Sequence, residues 1–189
     1  MDTLAGYKEA SLSRNRQMMP WGYIPRWWRS QGFGVHSPFA FRMVRDVLLP
    51  RYRYYDDDAL RFLPLSRRCR RYAGVLFRLA ARLAPASFMI IAGEESDALA
   101  EAVHLASPNC IRDAVHRVPA EKNGALVFLG GDEGRRAFPA VGNALAVVAD
   151  FPFPDEMHPE RGVLLRGICG FIWFPQAESQ FVAYDILIR

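Results

Sequence analysis

The sequence predicts an open α/β fold: an N-terminal helical extension, then a largely parallel sheet that closes with an antiparallel hairpin. Three observations carry this. Short continuous apolar runs at 88–92, 125–129 and 144–149 lead straight into Gly93, Gly130 and Asp150, the pattern of strands buried on both faces. A helical stretch at 96–106 follows the first run, so strands and helices alternate. Beyond residue 162 the chain turns β-rich, and 163–174 and 181–188 flank a polar loop at 175–180, which reads as an antiparallel pair closing the sheet.

Taken in order, residues 1–20 are polar, without a clear period, and read as a lead-in. Lys8, Glu9, Arg14 and Arg16 lie within it, and no apolar stretch of the kind a secretory signal requires accompanies them. Residues 21–33 interleave Trp21, Tyr23, Trp27, Trp28 and Phe33 with Arg26 and Arg29. Such a segment can stack bases, lie at a lipid headgroup boundary, or cover one face of its own domain. Ser37-Pro38 is a helix start, Ser as N-cap and Pro in the first turn. Phe39, Met43, Val44, Val47 and Leu48 then form a helical stripe that Pro50 stops. Residues 51–71 hold the acidic run Asp56, Asp57, Asp58 and the basic cluster Arg67, Arg68, Arg70, Arg71. The acidic run is either a cation site or a solvated loop. Tyr72, Leu76, Leu79, Ala80 and Leu83 continue at helical spacing, which predicts a helix over 72–84 ending before Pro85.

A length of 189 residues fits one domain with an extension, and 51% hydrophobic residues suffice for a core. We divide it into a basic helical extension, 1–85, and an α/β domain, 86–189, expected to form one cooperative unit. No apolar run reaches the roughly 20 residues of a membrane-spanning helix. Cys69, Cys110 and Cys169 are far apart and show neither a disulfide framework nor a zinc spacing, so a reduced, cytoplasmic protein is expected. Charge is uneven: residues 1–85 carry 16 Lys and Arg against 6 Asp and Glu, and 86–189 carry 8 against 14. The basic half either meets an acidic partner, RNA or a membrane surface, or packs on the acidic half of its own molecule.

In such a sheet ligands bind beyond the carboxyl ends of the strands. Those ends read AGEESD (92–97), GGDEG (130–134) and DFPF (150–153). Only Gly93 marks the first turn, and Glu94, Glu95 and Asp97 would repel a phosphate. A cationic or uncharged ligand is the chemistry that remains.

The segment 34–39, GVHSPF, followed by Phe41, resembles the "GVHSPF.F" entry of a bacterial family of class I S-adenosylmethionine-dependent methyltransferases, O-methyltransferase-like. RYAGVLFRL (71–79) is similar to the family's helix before the first strand, and ALVFLGGD (125–132) to its fourth strand, "LVFIDG". VVADFPFPDEM (147–157) is similar to its fifth strand and "DDIHW..EM" loop, and GFIWF (170–174) with the tail 181–189 fits the close of the chain. The resemblance covers most of 26–189 in order. It implies a reduced Rossmann-like methyltransferase sheet of about five strands, with S-adenosylmethionine as the cofactor and a hydroxyl-bearing small molecule as the acceptor. Gly93, Glu94, Glu95, Asp113 and Gly130 would line the cofactor, and His36 and Asp150 would stand near the acceptor.

The departures weigh as much. The family ends its first strand in an acidic residue followed by Gly-x-x-x-Gly; here Ile91 stands for the acid, Gly93 matches the first glycine and Asp97 replaces the second. Only 32 residues separate Ala92 from Ala125, room for one crossover of roughly 30 residues where the full fold places two further strands. Asp113 is the nearest candidate for the ribose-gripping acid. Impaired or lost cofactor binding is therefore expected; the alternative is a non-catalytic binding or scaffold protein using its basic aromatic N-terminal segment. His36 is either a capping-region residue or a general base. Asp150, Asp155 and Glu156 form either a divalent-cation site or a solvated acidic loop, while His104, His116 and His158 share no ligand spacing, so no metal is assigned.

Overall fold

The computed structural model describes residues 34–48, 55–91, 95–113, 124–167 and 169–186. The aromatic segment 21–33, Gly93, Glu94 and His116 lie outside these residues. Helix α1 (Pro38–Met43) begins as its sequence predicts: the Ser37 hydroxyl accepts from the Ala40 N–H at 3.1 Å, with Pro38 in the first turn. It runs on as a wider π-type turn, Val44–Leu48, and a 3-10 helix follows at Tyr55–Phe62. Helix α2 (Arg67–Leu83) starts five residues earlier than the apolar stripe predicts. Ser66 is the reason: its hydroxyl accepts from the Cys69 N–H at 3.2 Å and caps the arginine-bearing turn that the stripe does not reach.

The sheet elements are β1 (Ser87–Ile91), β2 (Ile111–Asp113), β3 (Ala125–Leu129), β4 (Ala146–Ala149), β5 (Gly162–Arg166), β6 (Phe171–Phe174) and β7 (Phe181–Asp185). Helix α3 (Ser96–Ala106) follows β1, and α4 (Gly131–Ala137) with a 3-10 turn at Phe138–Val141 follows β3. The strand order is β2-β1-β3-β4-β6-β5-β7, and β6 alone among these strands runs against its neighbours.

Seven strands replace the expected five, for two reasons. The apolar run 163–174 is two strands: Gly167 and Gly170 break it, the Gly167 N–H donating to the Gly170 carbonyl at 2.8 Å, and β5 and β6 pair antiparallel with each other. The C-terminal hairpin thus exists, but it is β5–β6. The last strand, β7, adds to β5 in parallel, Gly162 opposite Phe181, and not antiparallel to the preceding strand as expected. The other addition is β2, three residues too short to carry a periodic signal, which fills the interval after α3 and pairs with β1 from Ser87↔Ile111 to Met89↔Asp113.

Alternate residues of the strands other than β2 face two cores. Phe88, Leu126, Phe128, Val148, Leu165 and Ile172 pack with the buried faces of α1, α2 and α3. Met89, Val127, Leu129, Val147, Leu164, Phe171 and Trp173 pack on the other face with Phe138, Val141 and Phe151. Helices from 38–83 thereby share one core with the sheet: α2 and α3 lie against each other over the strands. No helix among the described residues is long and apolar enough to cross a membrane.

Candidate functional site

The crossover after β1 runs through α3 on one face, and the crossover after β3 runs through α4 on the other. The sheet order therefore reverses between β1 and β3, and the region beyond their carboxyl ends is the switch point where open α/β sheets bind ligands. Ile91, Gly130 and Asp150, at or just beyond the carboxyl ends of β1, β3 and β4, meet there.

Gly130 is buried and fully engaged: its N–H donates to the Ile91 carbonyl at 3.0 Å and its own carbonyl accepts from Gly134 at 3.0 Å. Its N–H thus continues the β1–β3 ladder one residue beyond Leu129. Gly131 turns the chain at φ 59°, and Gly134 lets α4 lie directly on β3; a β-carbon at Gly134 would stand 2.8 Å from the Leu129 backbone carbon.

Asp150 is the centre of the arrangement. Oδ1 accepts from the Gly131 N–H at 2.9 Å, and Oδ2 accepts from an Arg68 guanidinium nitrogen at 3.1 Å, which also donates to the Asp150 carbonyl at 3.0 Å. The Arg68 side chain is 67% exposed and Asp150 17%. An ion pair that open contributes about 0–1 kcal/mol. A carboxylate bond to a backbone amide contributes about 1.5–3 kcal/mol, so Gly131 holds the side chain and Arg68 covers it.

Beside this pair lies Tyr72 of α2, buried, its ring 5.6 Å from that of Phe128. Burial, and then the negative charge of Asp150, push its phenol up to about 12, with Cys169 adding to the rise and Arg68 and Arg71 opposing it. The phenol oxygen also abuts Gly170, where an added β-carbon would lie 2.8 Å from it and would overlap the Ala149 carbonyl oxygen.

The remaining predicted residues fall in different places. Glu95 precedes α3 in the left-handed region, φ 62°, a strained conformation for a side chain with a β-carbon. Its carboxylate accepts the Ser66 N–H at 2.8 and 3.0 Å. Asp97, standing for the second glycine, pairs with Arg112 of β2. Asp113 ends β2 opposite Met89, two residues short of the end of β1. His36 is exposed and lies by the β7 edge, three strands from β4: Ser37 beside it donates to Glu178 at 2.7 Å and to the Tyr184 hydroxyl through its N–H at 3.0 Å, and Glu178 lies in the turn that leads into β7. The structure does not bring His36 to Asp150. Sequence reasoning missed Arg68 and Tyr72, whose signal was present only as an arginine cluster and a helical stripe.

A cleft of about 260 Å³ opens at the amino ends of the parallel strands, lined among others by Gly142, His158, Arg161 and Trp173. It lies away from the switch point. No family model, curated protein or solved structure matches this chain.

Proposed function

We propose that the chain is a class I methyltransferase-like protein whose cofactor crevice is occupied by its own side chains, so that S-adenosylmethionine is not carried there. A mostly parallel α/β sheet is compatible with the fold class the sequence resemblance implies, with seven strands in place of about five. The observation that carries the reading is the state of Asp150. Both of its carboxylate oxygens are taken, one by the Gly131 amide and one by Arg68. A sulfonium cofactor is a cation, and a guanidinium already neutralises the one family-like carboxylate among the strand ends and repels a second positive charge. Ile91 supplies no acid at the end of β1, and Glu95 is committed to Ser66. In-line methyl transfer asks the protein mainly to align donor and acceptor; the separation of His36, by the β7 edge, from Asp150, after β4, supports a reading without such alignment.

Thermal unfolding of the full chain with S-adenosylmethionine and S-adenosylhomocysteine tests this. A ligand with Kd of about 10 µM, present at about 1 mM, would stabilise by about 2.7 kcal/mol and raise Tm by roughly 5–10 °C. The expected shift is none; a saturable rise of that size with either compound overturns the proposal.

A further inference from the structure

We infer that Phe62 and the arginine collar at the start of α2, chiefly Arg67 and Arg71, form a binding site for single-stranded nucleic acid. Phe62 is 87% exposed, the most exposed large apolar side chain among the described residues. The segment that carries it is anchored, since Leu60 and Leu65 on either side are buried in the helix-covered core. Phe62 is therefore held out on a fixed platform four residues before the Ser66 cap.

Two of the collar's arginines, Arg67 and Arg71, add charge that no acid among the described residues pairs. Arg67, Arg68, Arg70 and Arg71 are all exposed, and the first turn of α2 contains no acid. Positive charge at this end of a helix opposes the helix dipole, so the collar does not serve the helix. Arg68 is engaged by Asp150, and Arg70 donates to the Leu65 carbonyl at 3.3 Å. Arg67 and Arg71 have no ion pair among the described residues. They stand one helical turn apart on the same side of α2, with β-carbons about 5–6 Å from each other, close to the step between successive phosphates of an extended strand.

The chemistry selects the partner. Guanidinium groups present a planar fork that matches phosphate oxygens, and a neighbouring aromatic face stacks a base without regard to sequence. Two backbone donors of the helix end are already used, Ser66 N–H by Glu95 and Cys69 N–H by the Ser66 hydroxyl, and the arginine side chains supply the charge for the contact. Two nearby carboxylates are neutralised in place, Asp58 by Arg61 at 3.3 Å and Asp150 by Arg68, and Glu95 is held on the Ser66 N–H. A lipid surface fits less well. Membrane-seated segments sink a row of apolar side chains, whereas here Leu60 and Leu65 are buried and Leu63 is half-buried, leaving Phe62 by itself.

The test is fluorescence anisotropy of a labelled oligouridylate with the full-length chain across a salt series. The wild type binds at low salt. Phe62→Ala weakens binding about 5- to 150-fold, the loss of one stacked base, and Phe62→Trp retains it. Arg67→Ala with Arg71→Ala lowers the slope of log affinity against log salt by about 1.4, two phosphate contacts of a single strand. The inference is overturned by absence of binding at low salt, by equal affinity of Phe62→Ala and wild type, or by an unchanged salt slope. Binding to phosphatidylserine vesicles without binding to the oligonucleotide also overturns it. None of these outcomes depends on whether S-adenosylmethionine binds.

Discussion

One face of the sheet is covered by helices and the other by rings. Beneath α1, α2 and α3 the first core is mostly aliphatic, with Val75, Leu76, Leu79 and Leu99 completely buried against alternate strand residues. Among the described residues, the helical cover of the second face is the seven-residue α4 and a 3-10 turn. There Phe138 forms the hub of an aromatic cluster, its centroid 5.1 Å from Phe171, 5.4 Å from Phe153 and Trp173, and 6.4 Å from Phe151. A parallel sheet must be covered on both sides, and where crossover helices are short, loop residues supply the cover. Phe151 and Phe153 come from the loop directly after Asp150, at the carboxyl end of β4. The same loop cannot both line an open crevice and close a core, and in this chain it closes the core.

The largest test of this contrast is Phe138→Ala, expected to cost about 3–5 kcal/mol because the ring is fully buried and has four aromatic partners. Urea unfolding measures it; a loss below about 1 kcal/mol would show that the cluster is not what covers this face. On the helical side the tightest seam is Gly170, between the Ala149 carbonyl and the Tyr72 phenol. Gly170→Ala should cost about 1–3 kcal/mol by overpacking, and an unchanged urea midpoint would mean that the seam is slack. The smallest effect is one of pH. The Tyr72 phenol is raised to about 12 from an ordinary value of 10, so the folded protein holds this proton more tightly than the unfolded chain. That contribution is fully present below pH 10 and is lost as pH rises from 10 to 12. Tyr72→Phe should therefore show a shallower alkaline decline in urea midpoint than wild type; parallel declines would place the phenol in an ordinary environment.

Much of the framework was legible. The buried strands β1, β3 and β4 were visible as apolar runs because a strand covered on both sides needs apolar residues at every position, and α1 and α3 were marked by Ser37-Pro38 and by helical spacing. Less of the site could be read. Gly130 and Asp150 were correctly placed at strand ends, yet Gly130 proved to be a strand-to-strand link. Glu95 was taken for a cofactor contact and instead caps Ser66, 29 residues away, while Arg68 reaches Asp150 across 82. No local pattern encodes either contact. The split of 163–174 was missed because hydrophobicity is continuous through Cys169, and only Gly167 and Gly170 mark the turn.

By itself, the amino-acid order determined which segments become strands or helices and where most of them begin, because periodicity, caps and glycines act within a few residues. Tertiary structure decided which strands are neighbours, that β7 joins β5 in parallel, and that an arginine from α2 lies across Asp150. Those outcomes depend on which buried faces and unpaired backbone edges can be satisfied together, a condition that exists only once distant parts of the chain meet.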